Sequence, residues 1–174
     1  EETLLFIKKK YNPSSYGEFH QATLVFAADF FLKKDNYILS IKNFFDAFNL
    51  YPDGKFFISL INSGYFYKLN LFLKRIGRLS EIKSLHNNLL KYTKILTNKY
   101  SEINHFKSLS IAKTAFRIAR ENEKVRLLYK KILIESSRKA ITSGKINLAK
   151  QMLKEGLNLL NDDQDIRKIL FSIR

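Results

Sequence analysis

Cysteine is absent from this chain, and glycine and proline are scarce, at six and two among 174 residues. Without cysteine there is no disulfide framework, no thiolate nucleophile and no Cys-ligated metal, while the compartment stays open, because a reducing cytoplasm and a cysteine-poor periplasm both permit it. So little Gly and Pro leaves few tight turns for an all-β sandwich and few glycine-rich βα loops. No stretch alternates apolar and polar residues as a half-buried strand does. A Gly-rich phosphate loop, a nucleophile-elbow serine and a dinucleotide fingerprint are likewise missing. His20, His86 and His105 lack the spacing of metal ligands and are expected at the surface or at helix caps. Asp162, Asp163 and Asp165 cluster, and they are expected to favour the positive end of a helix rather than to bind a metal. The expectation is a non-enzyme with no catalytic residues, no metal and no cofactor.

What is present is enough apolar material for a core: 45% of residues are hydrophobic and 14% aromatic. The expected fold class is all-α, as a single helical domain over 1–174. Apolar residues recur at three- and four-residue intervals, predicting helices over about 2–10, 18–33, 37–50 and 56–76, the last interrupted near Asn62-Ser63-Gly64. Gly77 is read as a stop and Ser80 as the cap of the helix that follows, which carries Ile82, Leu85, Leu89, Tyr92 and Leu96. Further helices are expected over about 102–120, 124–142, 146–160 and 163–173, with Gly144 between two of them and Asp162 or Asp163 capping the last. Links of two to five residues imply antiparallel neighbours packed in sequence order.

The net charge of +15 is unevenly placed. Residues 54–134 hold seventeen Lys and Arg against Glu81, Glu102, Glu121 and Glu123, which is +13 of the total. Such a block attracts polyanions, acidic protein surfaces or anionic headgroups, and it also keeps a protein soluble with no partner at all.

Two segments carry a finer pattern. In the first, Leu24, Ala27, Ala28 and Phe31 precede a turn at Asp35, and Tyr37, Ser40, Phe44, Ala47 and Pro52 follow it. In the second, Leu133, Ser137 and Ala140 precede Gly144, and Ile146, Ala149, Leu153, Gly156 and Asn161 follow it. A poorer echo surrounds Gly77, with Phe66, Asn70 and Leu73 before it and Leu79, Ile82 and Leu89 after it. The first segment, about 18–52, resembles the tetratricopeptide (TPR) helix-turn-helix repeat, and the second, about 130–161, resembles it more weakly. Turn positions fall 42 and then 67 residues apart, from Asp35 to Gly77 to Gly144, against about 34 in a regular TPR array. The resemblance implies antiparallel helical hairpins stacked as a short TPR-like α-solenoid, with an irregular helical bundle as the alternative.

The family further implies a non-catalytic protein-binding scaffold or adaptor whose concave face is lined by the first helix of each pair. Its best-known pocket grips a carboxylate with Lys, Asn and Arg, whereas the matching face of the 18–33 helix offers Ala22, Val25, Asp29 and Leu32. Family analogy also suggests a subunit of an envelope, motility or secretion assembly. The expected partner is a protein with an acidic or apolar segment. From spacing alone, Lys113, Arg117, Arg120 and Lys124 form one cationic edge if their helix continues through the break at 121–123, and Arg126 and Lys130 form a second pair. Lys131 and Arg138 occupy the inner face before Gly144 on the TPR resemblance. A basic module binding RNA or DNA is the alternative function, though no motif frames it. The aromatic-rich stretch 56–73 is too polar for a spanning helix and leaves contact with a membrane surface open. With Glu1 rather than Met in first place, the setting stays open between periplasm or envelope and cytoplasm.

Overall fold

A computed structural model describes residues 2–11, 13, 15–34, 36–50 and 65–173. All regular structure among these residues is helical and none of it is strand. The helices are α1 (Glu2–Tyr11), α2 (Tyr16–Lys33), α3 (Tyr37–Leu50), α4 (Tyr65–Arg75), α5 (Leu79–Ser101), α6 (His105–Ile118), α7 (Glu123–Thr142), α8 (Ile146–Leu159) and α9 (Gln164–Ser172). The chain divides into two compact units, Glu1–Asn88 and Leu89–Arg174.

In the first unit α2 and α3 form an antiparallel hairpin. The Ser40 hydroxyl donates to the Ala28 carbonyl at 2.7 Å, and the Gln21 amide donates to the Ala47 carbonyl at 2.8 Å. Ala28, Ser40 and Ala47 are all buried, so the backbones approach where side chains are smallest. The side chains of Tyr37 and Phe44, together with Pro52, Gly54, Phe56, Phe57 and the interruption at 62–64, lie outside the described residues. Ala22 and Val25 are buried as well, so the face of α2 that the resemblance would leave open is packed. If Ala47 sits at this close approach, Ala47→Leu should cost about 1–3 kcal/mol by overpacking. A denaturation midpoint equal to that of the unaltered protein would refute the hairpin packing.

Helix ends follow local chemistry, and three of them depart from the sequence-based expectation. Ser15 accepts from the Glu18 amide at 3.2 Å and so starts α2 earlier, at Tyr16. Asn104 accepts from the Lys107 amide at 3.0 Å, which delays α6 to His105, while α5 runs on to Ser101. Ser80 is no cap, because α5 begins at Leu79 and the Ser80 hydroxyl donates to the neighbouring Glu81 carboxylate instead. Gly77 and Gly144 do stop their helices. At φ of +70° and +73° each lets the chain double back, with Arg78 N–H on the Leu73 carbonyl at 3.0 Å and Lys145 N–H on the Ala140 carbonyl at 2.9 Å.

His86 departs from expectation too. It is buried rather than exposed or capping, and its ring nitrogen lies 2.9 Å from the buried Asn70 side-chain oxygen, a polar link between α5 and α4 that covers both groups.

In the second unit α6, α7, α8 and α9 pack pairwise in sequence order. Phe116 and Tyr129 stack between α6 and α7 with ring centres 5.2 Å apart and planes 8° from parallel. Ser136 on α7 donates to the His105 carbonyl at 3.2 Å at the other end of the same pair, so the two helices run antiparallel. On α8, Gly156 is buried against α7: a Cβ built there would stand 2.1 Å from Leu133 Cδ2. Asp163 accepts from the amides of Asp165 and Ile166 at 3.1 and 3.4 Å and starts α9.

Candidate interaction site

The α6, α7 and α8 helices enclose an open cavity of about 190 Å³ in the second unit. Phe106 and Leu109 enter from α6, Tyr129 and Leu133 from α7, and Met152 from α8, giving it an apolar lining. Ser110, Lys113 and Glu155 bring the polar groups. Three- and four-residue spacing explains why one side of α6 supplies Phe106, Leu109, Ser110 and Lys113 together.

At the cavity, α6 and α8 are joined by charge. Lys113 pairs with the Glu155 carboxylate, and Arg117, one turn further on, reaches the same oxygen at 3.7 Å. Two cations therefore share one carboxylate. Beneath them the Tyr129 phenol is pushed up to about 12, mainly by burial and further by the nearby Glu155 charge. At neutral pH Tyr129 is thus a neutral hydroxyl in an apolar wall. Lys145 stands 5.6 Å from the centre of the Phe106 ring. His105, next to Phe106 with ring centres 4.0 Å apart, is held below the usual histidine range by burial and by Lys139 and Lys145.

The eight cations singled out by sequence separate into different environments. Lys113 and Arg117 converge on Glu155. The continuous edge through Lys124 does not form: α6 ends at Ile118 with Ala119 as its cap, and Asn122 starts α7 by accepting from the Val125 amide at 3.2 Å. Arg120 and Lys124 consequently lie on either side of a turn, both exposed. Arg126 pairs with Glu123 at 3.2 Å, and Lys131 with Glu135 at 3.8 Å, both within α7. Lys130 is a structural clamp, bonded to Asp165 at 2.6 Å and Asp163 at 2.9 Å across to the start of α9. Those bonds raise the Lys130 pKa, while Asp163, despite a desolvation effect in the opposite direction, is held low by Lys130 and by the amides of Ile166 and Asp165. Arg138 is exposed on α7 and has no acidic partner among the described residues.

Sequence reasoning missed Glu155, Tyr129 and Met152. Glu155 did leave one signal, as the single acidic residue of α8, but its pairing with a lysine 42 positions away is a product of packing. The aromatic stretch resolves into separate roles over its described part, with Phe66 buried and Tyr67 exposed. The acids at 162–165 support the start of α9 as expected, Asp163 as its cap and Asp165 in its first turn. No group of three or more His, Asp or Glu side chains suited to a metal occurs among the described residues. No described helix is long and apolar enough to cross a membrane. The chain matches no protein-family model, no curated protein and no solved structure.

Proposed function

We propose that this protein is a non-catalytic interaction scaffold, built from TPR-like helical hairpins, that holds a protein partner bearing an acidic or apolar segment. The observation that carries the reading is the distribution of charge in the second unit. Residues 89–174 hold nineteen Lys and Arg against eight Asp and Glu, a net +11. Seven of those eight acids, Glu102, Glu123, Glu135, Glu155, Asp162, Asp163 and Asp165, are tied to internal ion pairs. Those acids serve the fold, and Arg120, Lys124 and Arg138 face solvent. An excess of one sign beside an apolar cavity suits a partner that presents carboxylates around an apolar anchor. Buried small residues at Ala28, Ser40, Ala47 and Gly156 support the hairpin reading. A place in an envelope, motility or secretion assembly follows from the same family analogy.

Charge reversal at Lys113 and Arg117 would press new carboxylates on Glu155, so the cleaner test uses Arg120→Glu/Lys124→Glu, where both side chains are exposed. Capture from native lysate should retain a protein that survives nuclease, and the variant should bind it more slowly at low salt, since remote charge acts mainly on encounter. Retention that vanishes with nuclease would move the assignment to RNA or DNA binding. Equal association rates for both forms would return these two cations to plain solvated surface.

A further inference from the structure

The first unit presents a feature that the scaffold reading does not use. On α1, Leu4, Leu5 and Phe6 are consecutive and are 49%, 66% and 49% exposed. Single exposed apolar side chains are ordinary, but three in a row on one turn call for a function or a covering surface. One turn later come Lys8, Lys9 and Lys10, all exposed. The spacing pairs Leu4 with Lys8, Leu5 with Lys9 and Phe6 with Lys10, each at i and i+4. Side chains on a helix lean toward its N-terminus, so a lysine stem at i+4 is placed to lie back over the apolar residue at i. This is visible at one pair, where Lys10 Nζ stands 5.6 Å from the centre of the Phe6 ring.

The helix is anchored rather than loose. Ile7 is buried at 1% exposure, and the Phe6 ring meets Phe26 of α2 at 5.7 Å. One turn beyond Phe26 on the same side of α2 is Phe30, also exposed, and one turn beyond Phe30 is the exposed Lys34. The exposed apolar residues Leu4, Leu5 and Phe6 of α1 and Phe30 of α2 are thus each followed by a cation at the distance of one turn. The acids on these helices are Glu2 in the first turn of α1 and, on α2, Glu18, which is buried, and Asp29, which is paired with Lys33 at 3.1 Å.

We propose that α1, with Phe30 of α2 beside it, is a docking surface for the interfacial layer of an anionic lipid bilayer. Leu4 and Leu5 enter the boundary between headgroups and acyl chains, Phe6 flanks them where it meets Phe26, and Lys8 and Lys9 reach up to the phosphates, the arrangement by which long cationic side chains serve both phases. Over the ten residues of α1, about 15 Å, a cation follows each exposed apolar residue, which suits the interface rather than the hydrocarbon core. The charge selects the occupant: apolar contact alone suits any greasy surface, whereas a lysine at each apolar step suits one whose polar layer is a continuous sheet of negative charge.

The test is flotation of the 174-residue protein with vesicles of phosphatidylcholine alone and of phosphatidylcholine mixed with phosphatidylglycerol. Binding is expected to the mixed vesicles and to fall as salt rises. Lys8→Gln/Lys9→Gln should weaken it on the order of 25-fold, about fivefold per lysine. Leu4→Ser/Leu5→Ser should weaken it by roughly tenfold or more at unchanged helicity by circular dichroism. Arg120→Glu/Lys124→Glu in the other unit should leave it unaltered, which separates this proposal from the scaffold reading. No binding, equal binding to both vesicle types, or binding lost in the Arg120/Lys124 variant and kept in the α1 variants would each overturn the proposal. So would lipid-free self-association that Leu4→Ser/Leu5→Ser abolishes, since the patch would then be an interface between copies of the chain.

Discussion

Phe116→Ala should lower the stability of the second unit by about 3–5 kcal/mol, the range for removing a fully packed aromatic side chain. Phe116 is 2% exposed and lies flat against Tyr129, itself almost wholly buried, so its loss empties space on both sides of the α6–α7 contact. Part of the loss is apolar burial, and part is the cavity that neighbours cannot refill, because α6 and α7 are held at their other end by the Ser136 bond to the His105 carbonyl. Urea unfolding followed by circular dichroism would read the effect as a lower midpoint with little change of slope. A loss below about 1 kcal/mol would mean that Phe116 is not packed as described. Tyr129 also walls the cavity, so the substitution should loosen that wall while the Lys113–Glu155 pair stays in place.

Gly156→Val should cost about 3 kcal/mol, at the upper end of what overpacking does. A Cβ at this position would stand 2.1 Å from Leu133 Cδ2 and 3.4 Å from Cγ, and Leu133 is 1% exposed. The collision is with a side-chain tip, which borders the cavity that Leu133 lines and can yield toward it. Valine therefore both separates α7 from α8 and narrows the cavity. Alanine meets the same methyl but recovers about 1 kcal/mol of helix propensity over glycine, so Gly156→Ala should be the milder of the two. Thermal melts of both variants would check the order. A Gly156→Val midpoint at or above that of the unaltered protein would show that the two helices are not in close contact at this point.

These two positions were not equally legible in the sequence. Gly156 stood out because its spacing from Gly144 matched a helical-hairpin pattern, and the structure finds it buried against the preceding helix. The three- and four-residue period sets Phe116 on one face of α6 with Leu109 and Ala112, yet nothing in the order of residues names Tyr129 as its stacking partner. Helix boundaries are legible where the stop is a backbone matter, as at Gly77 and Gly144, and where one acid stands ready to cap, as Asp163 does. They shifted where a side chain captured an amide, as Ser15 and Asn104 do, because several polar residues near each end compete to cap it.

By itself the sequence determined the helical class, since apolar period, scarce glycine and proline, and capping chemistry all act within a few residues of one another. It determined the excess of positive charge and the small residues that let α2 meet α3, where Ser40 bonds to the Ala28 carbonyl. Only the tertiary structure decided which cations remain available. Lys130 is bound to Asp163 and Asp165, and Lys113 and Arg117 meet on Glu155, across separations of 33 to 42 residues. It also placed His86 inside, where Asn70 from a different helix satisfies its ring nitrogen. Periodicity is a property of one helix, and it tells which face is buried. Which groups meet on that face depends on how neighbouring helices cross, and that is set by the sum of many packing contacts along the whole interface.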